Sequence, residues 1–160
     1  MIHHVYIGLG SNLGDRRQNI TEAIRLIGER VGTVVAQSSL SEFEPWGFQS
    51  DHPFLNGAIH VETHLSPFDV LAATQQIERE LGKTEHHATK RSKSPHTSSP
   101  SDLSPLTSHH SPLYKDRPID IDILLYDDLH QNDPRLTLPH PMMYERPFVM
   151  KPLKEILKFT

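Results

Sequence analysis

An α+β domain on a mainly antiparallel sheet is what the sequence predicts, and three observations predict it. Strand-like and helix-like stretches follow in the order β, α, β, β, α, β, which suits helices packed on one sheet. Two of the stretches show helical spacing with start signals at their N-terminal ends. The 160 residues, 36% of them hydrophobic, suffice for one ordinary core without disulfides or structural metal.

The elements follow from the N-terminus. His4-Val5-Tyr6-Ile7-Gly8-Leu9-Gly10 is β-prone, ends in glycine and reads as a strand. After the turn Ser11-Asn12-Leu13-Gly14, Asp15 caps a helix and Gln18 completes a capping box. Ile20, Ala23, Ile24, Ile27 and Val31 then recur at helical spacing until Gly32 stops them. Thr33 to Glu44 and Phe54 to Thr63 read as strands, joined by a loop through Pro45-Trp46-Gly47 to Pro53. Ser66-Pro67-Phe68-Asp69 opens a second helix, with a capping serine and proline at its first position. That helix is predicted to run to Leu81 and end at Gly82. It buries Val70, Leu71, Thr74, Ile77 and Leu81, and carries Gln75 and Glu78 together on another face.

From Ser92 to Pro112 there are 8 serines and 4 prolines among 21 residues. Such a stretch buries too little apolar surface to offset its ordering entropy and reads as a long mobile loop. The expectation is a single domain over residues 1–160 with a flexible Ser/Pro/His-rich loop at about 84–116. Pro118 to Tyr126 is the clearest strand. Turns at Asp127-Asp128 and Asn132-Asp133-Pro134 follow, then an irregular proline-rich stretch, a short helix near Met142 to Glu145 and a last helix over Lys151 to Lys158. A ferredoxin-like sandwich accommodates this order.

Composition narrows the function. Sixteen basic against twenty acidic residues, net charge -4, leave no electrostatic footprint for a nucleic-acid binder. Six basic residues (Lys83, Lys90, Arg91, Lys93, Lys115, Arg117) against three acidic ones between Lys83 and Arg117 suit a small anionic ligand instead. The absence of cysteine removes thiol nucleophiles, zinc-thiolate sites and iron-sulfur clusters. No apolar run approaches the roughly 20 residues of a membrane span, and the start has no leader-like pattern, so a soluble cytoplasmic protein is expected.

Asp120 and Asp122 stand one residue apart in a strand, so both carboxylates point to the same face. Two readings are open: a magnesium site for substrate phosphates, or an edge strand with a solvated acidic face. Arg117 adds a cation suited to phosphate just upstream. Gly8-Leu9-Gly10-Ser11-Asn12-Leu13-Gly14 lacks the glycine at position 13 that a dinucleotide fingerprint needs. It permits close approach of a ligand to the backbone, or a tight turn. Of 12 histidines, the pairs His86-His87 and His109-His110 fit weak metal binding or no site at all. His140, in Arg135-Leu136-Thr137-Leu138-Pro139-His140-Pro141, reads either as a phosphate donor or as packing. Trp46, Phe54 and Phe148 read as core, or, two of them with Asn56, as a sandwich for a planar heterocycle.

Taken in order along the chain, several motifs resemble the 6-hydroxymethyl-7,8-dihydropterin pyrophosphokinases of folate biosynthesis. They are Gly8 to Asp15, Glu44-Pro45-Trp46-Gly47-Phe48, Pro53-Phe54-Leu55-Asn56, Gln75 to Gly82, Asp116-Arg117-Pro118-Ile119-Asp120-Ile121-Asp122-Ile123-Leu124 and Leu138-Pro139-His140-Pro141. The resemblance implies a ferredoxin-like fold and transfer of the terminal pyrophosphate of ATP to the pterin hydroxymethyl group, with AMP as the other product. It implies that Asp120 and Asp122 hold two magnesium ions, and that Arg117 acts beside them in catalysis. Gln75, Glu78, Arg117, Ile123, Arg135, Thr137 and His140 would contact ATP. Phe54 and Phe148 would stack on the pterin, Asn56 would bond its edge, Pro45 and Trp46 would line its pocket, and Arg146 would be a further pocket residue. The implied enzyme needs only small-molecule substrates and works as a monomer or weak dimer.

This chain departs from the family after the second helix, where members carry arginines and a tryptophan in a short segment that closes over ATP. Here Lys83 and Glu85 stand at the near positions and the Ser/Pro/His-rich stretch replaces that segment. Lys90, Arg91, Lys93 and Lys115 are the available cations. Two rival readings remain: another two-magnesium nucleotidyl or phosphoryl transferase, and a histidine-rich metal-binding or interaction protein whose loop is the functional part.

Overall fold

β1 (His3–Ser11) runs through the interior of a five-stranded sheet, and everything else is arranged around it. The structure, a computed structural model, describes residues 1–43, 53–93 and 118–157, with side chains in the second stretch as far as residue 82. After β1 come α1 (Arg16–Arg30), β2 (Gly32–Gln37), β3 (Ser41–Phe43), β4 (Phe54–Thr63), α2 (Pro67–Lys93) and β5 (Asp120–Tyr126). A small hairpin of β6 (Gln131–Asp133) and β7 (Leu136–Leu138), a 3-10 turn at Met143–Glu145 and α3 (Pro147–Leu157) complete the chain. The main sheet has the order β2-β4-β1-β5, with β3 also on β4, and every pairing is antiparallel. β4 thus lies between β1 and β2, the split arrangement of a ferredoxin-like sandwich.

The alternation of strand side chains sorts the core into two layers. Val5, Ile7, Leu9, Ile121 and Ile123 face the helix pair, packing with Ile20 and Ile27 of α1 and Val70 and Ile77 of α2. Tyr6, Ala58 and Leu124 face the other way, under Val149, Leu153 and Ile156 of α3. Each fully buried aliphatic side chain contributes about 1.5–3 kcal/mol of transfer free energy. Asp15 caps α1 by accepting from the Gln18 N–H at 3.1 Å, and Ser66 does the same for α2 through the Asp69 N–H at 3.2 Å.

Several boundaries differ from the sequence expectation. The stretch expected as one strand from Thr33 is broken into β2 and β3 beyond Gln37, where the Ser38 hydroxyl takes the Ala58 N–H at 2.9 Å and the ladder to β4 resumes only with Ser41 opposite Asn56. Gly82 does not end α2, whose backbone stays helical to Lys93. A helical glycine costs only about 1 kcal/mol relative to alanine, and no proline follows until Pro95. The remainder of the expected mobile loop, from 94 to 116, lies outside the described residues. The segment expected to be irregular after β5 contains the β6–β7 hairpin. α3 starts at Pro147 rather than Lys151, since proline fits the first helical position, where no N–H is needed. No helix among the described residues is long and apolar enough to cross a membrane.

Candidate active site

The α3 face of the sheet opens into a cleft whose floor is set by strand pairing. Gly8 stands opposite Asp122 and Gly10 opposite Asp120, so the two carboxylates rise beside a strip of β1 that carries no side chains. On the other side of that strip, Gly10 is paired with Asn56 and Gly8 with Ala58 of β4. A Cβ on Gly10 would come within 2.7 Å of the Asn56 Oδ1, so the glycine makes room for that amide. Phe54 of β4 and Phe148 of α3 also line the cleft, which measures about 490 Å³ including its open mouth.

A second, wider cleft of about 1170 Å³ lies along the outer edge of β5. Gln75 and Glu78 come to it from α2, Arg135 and Thr137 from the hairpin, and His140, Met142 and Arg146 from the segment before α3; Ile123 lines it from the strand. Asp120 and Asp122 belong to both clefts and form the partition between them.

Local interactions fix the walls of the wider cleft. The Glu78 carboxylate accepts from the Ile121 N–H at 2.7 Å, gripping the backbone between the two aspartates on the outer side of β5. The Arg135 guanidinium is forked onto Asp133, with Nε at 3.2 Å, and lies over the Phe68 ring at 4.1 Å. Thr137 donates its hydroxyl to the Asp133 carbonyl at 3.1 Å. The peptide between Leu138 and Pro139 is cis, and the His140 N–H bonds the Leu124 carbonyl at 3.0 Å. Burial, with the charge of Arg146 second, pushes the His140 pKa down to about 4, so the imidazole is neutral at pH 7. Among the described residues, the buried side-chain nitrogens without a hydrogen-bond partner include Nδ2 of Asn56 in the narrow cleft and Nδ1 of His140 in the wide one. A buried donor or acceptor left unsatisfied costs about 1–3 kcal/mol, and each of these is where a polar ligand would be bonded.

The donor set also suits a hard divalent cation. Among the described residues no group of three or more His, Cys, Asp or Glu forms a cage for metal. Magnesium does not require one, because one or two carboxylates plus substrate phosphates and water complete its shell.

The structure therefore brings Asp120, Asp122, Phe54, Asn56 and Phe148 to one cleft and Gln75, Glu78, Ile123, Arg135, Thr137 and His140 to its neighbour. Pro45, Trp46 and Arg117 lie outside the described residues. Sequence reasoning left Gly8 and Gly10 open between ligand approach and a tight turn; they continue the strand and line the narrow cleft. It missed Phe68 beneath Arg135, because nothing local ties residue 68 to residue 135. Glycine at alternate positions of a strand was the signal available for the floor, and it needed the partner strand to be interpreted.

Comparisons with known proteins bear on this geometry. The family model described as 7,8-dihydro-6-hydroxymethylpterin-pyrophosphokinase (HPPK) matches residues 6–96 and 106–158. The 2-amino-4-hydroxy-6-hydroxymethyldihydropteridine pyrophosphokinase of Porphyromonas gingivalis is 41% identical over 153 residues, covering 95% of this chain and 89% of that protein. The protein of the same name from Bacillus subtilis is 37% identical over 152 residues, with 94% and 76% covered. The mitochondrial folate synthesis bifunctional protein of Pisum sativum is 36% identical over 154 residues, 96% of this chain and 25% of that one. A solved HPPK-DHPS in complex with substrates superposes with a TM-score of 0.64 at 14% identity, over 98% of this chain and 40% of the other, a likeness of fold. Fold and matches together define an enzyme of the pyrophosphoryl transferase class, with ATP as co-substrate. The chain belongs to the 7,8-dihydro-6-hydroxymethylpterin-pyrophosphokinase family.

Proposed function

We propose that the chain, as a single domain over residues 1–160, transfers the terminal pyrophosphate of ATP to the hydroxymethyl group of 6-hydroxymethyl-7,8-dihydropterin. The products are the pterin diphosphate and AMP, and the step serves folate biosynthesis. One observation carries the assignment of sites: Asp120 and Asp122 are shared by a small cleft lined with aromatic rings and a wider cleft lined with cationic and hydroxyl groups. A planar heterocycle fits the first and a nucleotide triphosphate the second, so the reacting groups meet at the partition.

In the narrow cleft Phe54 and Phe148 bind the ring faces, and the unpaired Asn56 amide bonds the pterin edge. In the wide cleft Arg135 and neutral His140 bind the phosphates, with Gln75, Glu78, Ile123 and Thr137 along the nucleotide. Arg117, with Pro45 and Trp46 on the pterin side, belongs to the same reading by family resemblance. The hydroxymethyl oxygen gives up its proton to water and attacks the β-phosphorus while the bond from that phosphorus to the α-phosphate oxygen breaks, and AMP leaves with the electron pair. Asp120 and Asp122 would hold two magnesium ions, which supply charge neutralisation and a lowered hydroxyl pKa when bound. The protein's own share is alignment and exclusion of competing geometry, the larger part of catalysis in phosphoryl-type transfer.

Incubation with Mg-ATP and the pterin, with nucleotides resolved by chromatography, tests the reaction. AMP formed only with pterin present, in step with a diphosphorylated pterin, is the expected result. ADP would mean single-phosphoryl transfer, and free pyrophosphate with AMP retained on the pterin would mean nucleotidyl transfer. The same reading keeps the protein in the cytoplasm as a monomer or weak dimer, which fractionation and sedimentation test.

A further inference from the structure

A residue that does not line the narrow cleft bonds both strands behind it. Arg16 is the first residue of α1, seated by the Asp15 cap, and α1 packs on the sheet face opposite the cleft. Its guanidinium reaches around the end of the sheet. Nη2 donates to the Glu42 carboxylate on β3 at 2.5 Å, and Nη1 donates to the Pro53 carbonyl at 3.0 Å.

Those two acceptors flank one junction. β3 pairs with β4 through Glu42 opposite Leu55 and Phe43 opposite Phe54, the last pair of that ladder. The Pro53 carbonyl lies one residue beyond it, and Arg16 donates to it. The next residue is Phe54, whose ring stands 3.4 Å from where a Cβ of Gly10 would be, and two residues on is Asn56. Phe43, next to Glu42, meets Phe148 edge to face at 6.3 Å between centroids. One guanidinium thus ties the start of the strand bearing Phe54 and Asn56 to the strand that supports Phe148.

We infer that Arg16 is a positioning residue for the pterin substrate, setting the entry of β4 and with it the separation of Phe54, Asn56 and Phe148 across the narrow cleft. The planar fork matters, since one group must serve a carboxylate and a carbonyl on two strands together. The side chains of the ion pair are 29% and 55% exposed, and pairs so exposed contribute little to stability. A strong effect of Arg16 is therefore expected on binding geometry and a weak one on folding. The inference rests on the pterin occupying this cleft.

The test compares Arg16→Met, Arg16→Lys, Glu42→Gln and Asn56→Ala in the full chain. Calorimetric titration with 6-hydroxymethylpterin, KM for each substrate and thermal midpoints are the readouts. Arg16→Met should weaken pterin binding by about tenfold, the scale of one lost charged hydrogen bond. KM for ATP and the thermal midpoint should barely move. Lysine, which can serve one acceptor, should restore part of the affinity, and Glu42→Gln should lose less than Arg16→Met. Equal rises in both KM values, or a lowered midpoint with pterin affinity intact, would overturn the positioning role and leave Arg16 a stability residue. If Asn56→Ala leaves pterin affinity unchanged, the cleft assignment itself fails. If Asn56→Ala weakens binding and Arg16→Met does not, only this inference fails.

Discussion

Asp120 and Asp122 share a strand face and stand opposite glycines, so neither carboxylate is wedged into the core. Exchanging either for asparagine keeps shape and should leave the thermal midpoint nearly unchanged. Turnover should fall about a hundredfold or more, the scale of removing one transition-state stabiliser; parallel losses of stability and rate would mark the pair as structural. His140 makes a prediction in pH. Its folded pKa of about 4 lies below the ordinary 6.5 because burial, then Arg146, disfavours the charged ring. The neutral ring is the folded form, so its stabilisation is complete above pH 6.5 and is lost as pH falls toward 4. His60 is shifted the same way, by burial first and then by His4. His140→Gln should therefore remove part of the decline in urea midpoint across that window, and an unchanged slope would refute the shift. The sequence made the aspartate pair legible because alternation in a strand is local. It left His140 open between packing and phosphate binding, since only the folded chain determines which atoms it buries.

Two glycines that the sequence marks as element boundaries behave oppositely. A Cβ on Gly32 would lie 2.0 Å from the Glu62 carbonyl oxygen, backbone that cannot yield without splaying β2 from β4. Gly32→Ala should destabilise by about 1–3 kcal/mol or more, the range of overpacked sites. A Cβ on Gly82 would meet nothing within 4 Å among the described residues, inside a helix that runs on. Gly82→Ala should stabilise by about 0.5–1 kcal/mol, the glycine penalty in a helix interior. Urea titration of the two variants distinguishes them, and destabilisation by Gly82→Ala would mean that the helix ends there. Both glycines look like stop signals in the sequence. The difference lies in a carbonyl on β4, thirty residues further along the chain from Gly32, which no local pattern contains.

At the scale of the molecule the proposed reading gives each substrate its own cleft, so damage to one substrate's side should spare the other. Deleting residues 92 to 112 from the Ser/Pro/His-rich stretch should raise KM for ATP while 6-hydroxymethylpterin still binds. Loss of all function, pterin binding included, would favour the histidine-rich loop as the functional part. A longer segment need not abolish turnover, because each doubling of loop length adds only about 0.6 kcal/mol of closure entropy.

The sequence by itself determined the element order, both helix caps, the apolar stripes, the common face of Asp120 and Asp122, and the family to which the motifs belong. Each depends on residues within a few positions of one another or on the order of short motifs. Only the tertiary structure decided that β4 lies between β1 and β2, that glycines face the aspartates, and that Phe68, Glu78 and Arg16 contact groups distant in sequence. Those pairings follow from burying both faces of the sheet at once. That condition is met by the whole chain, and no local segment encodes it.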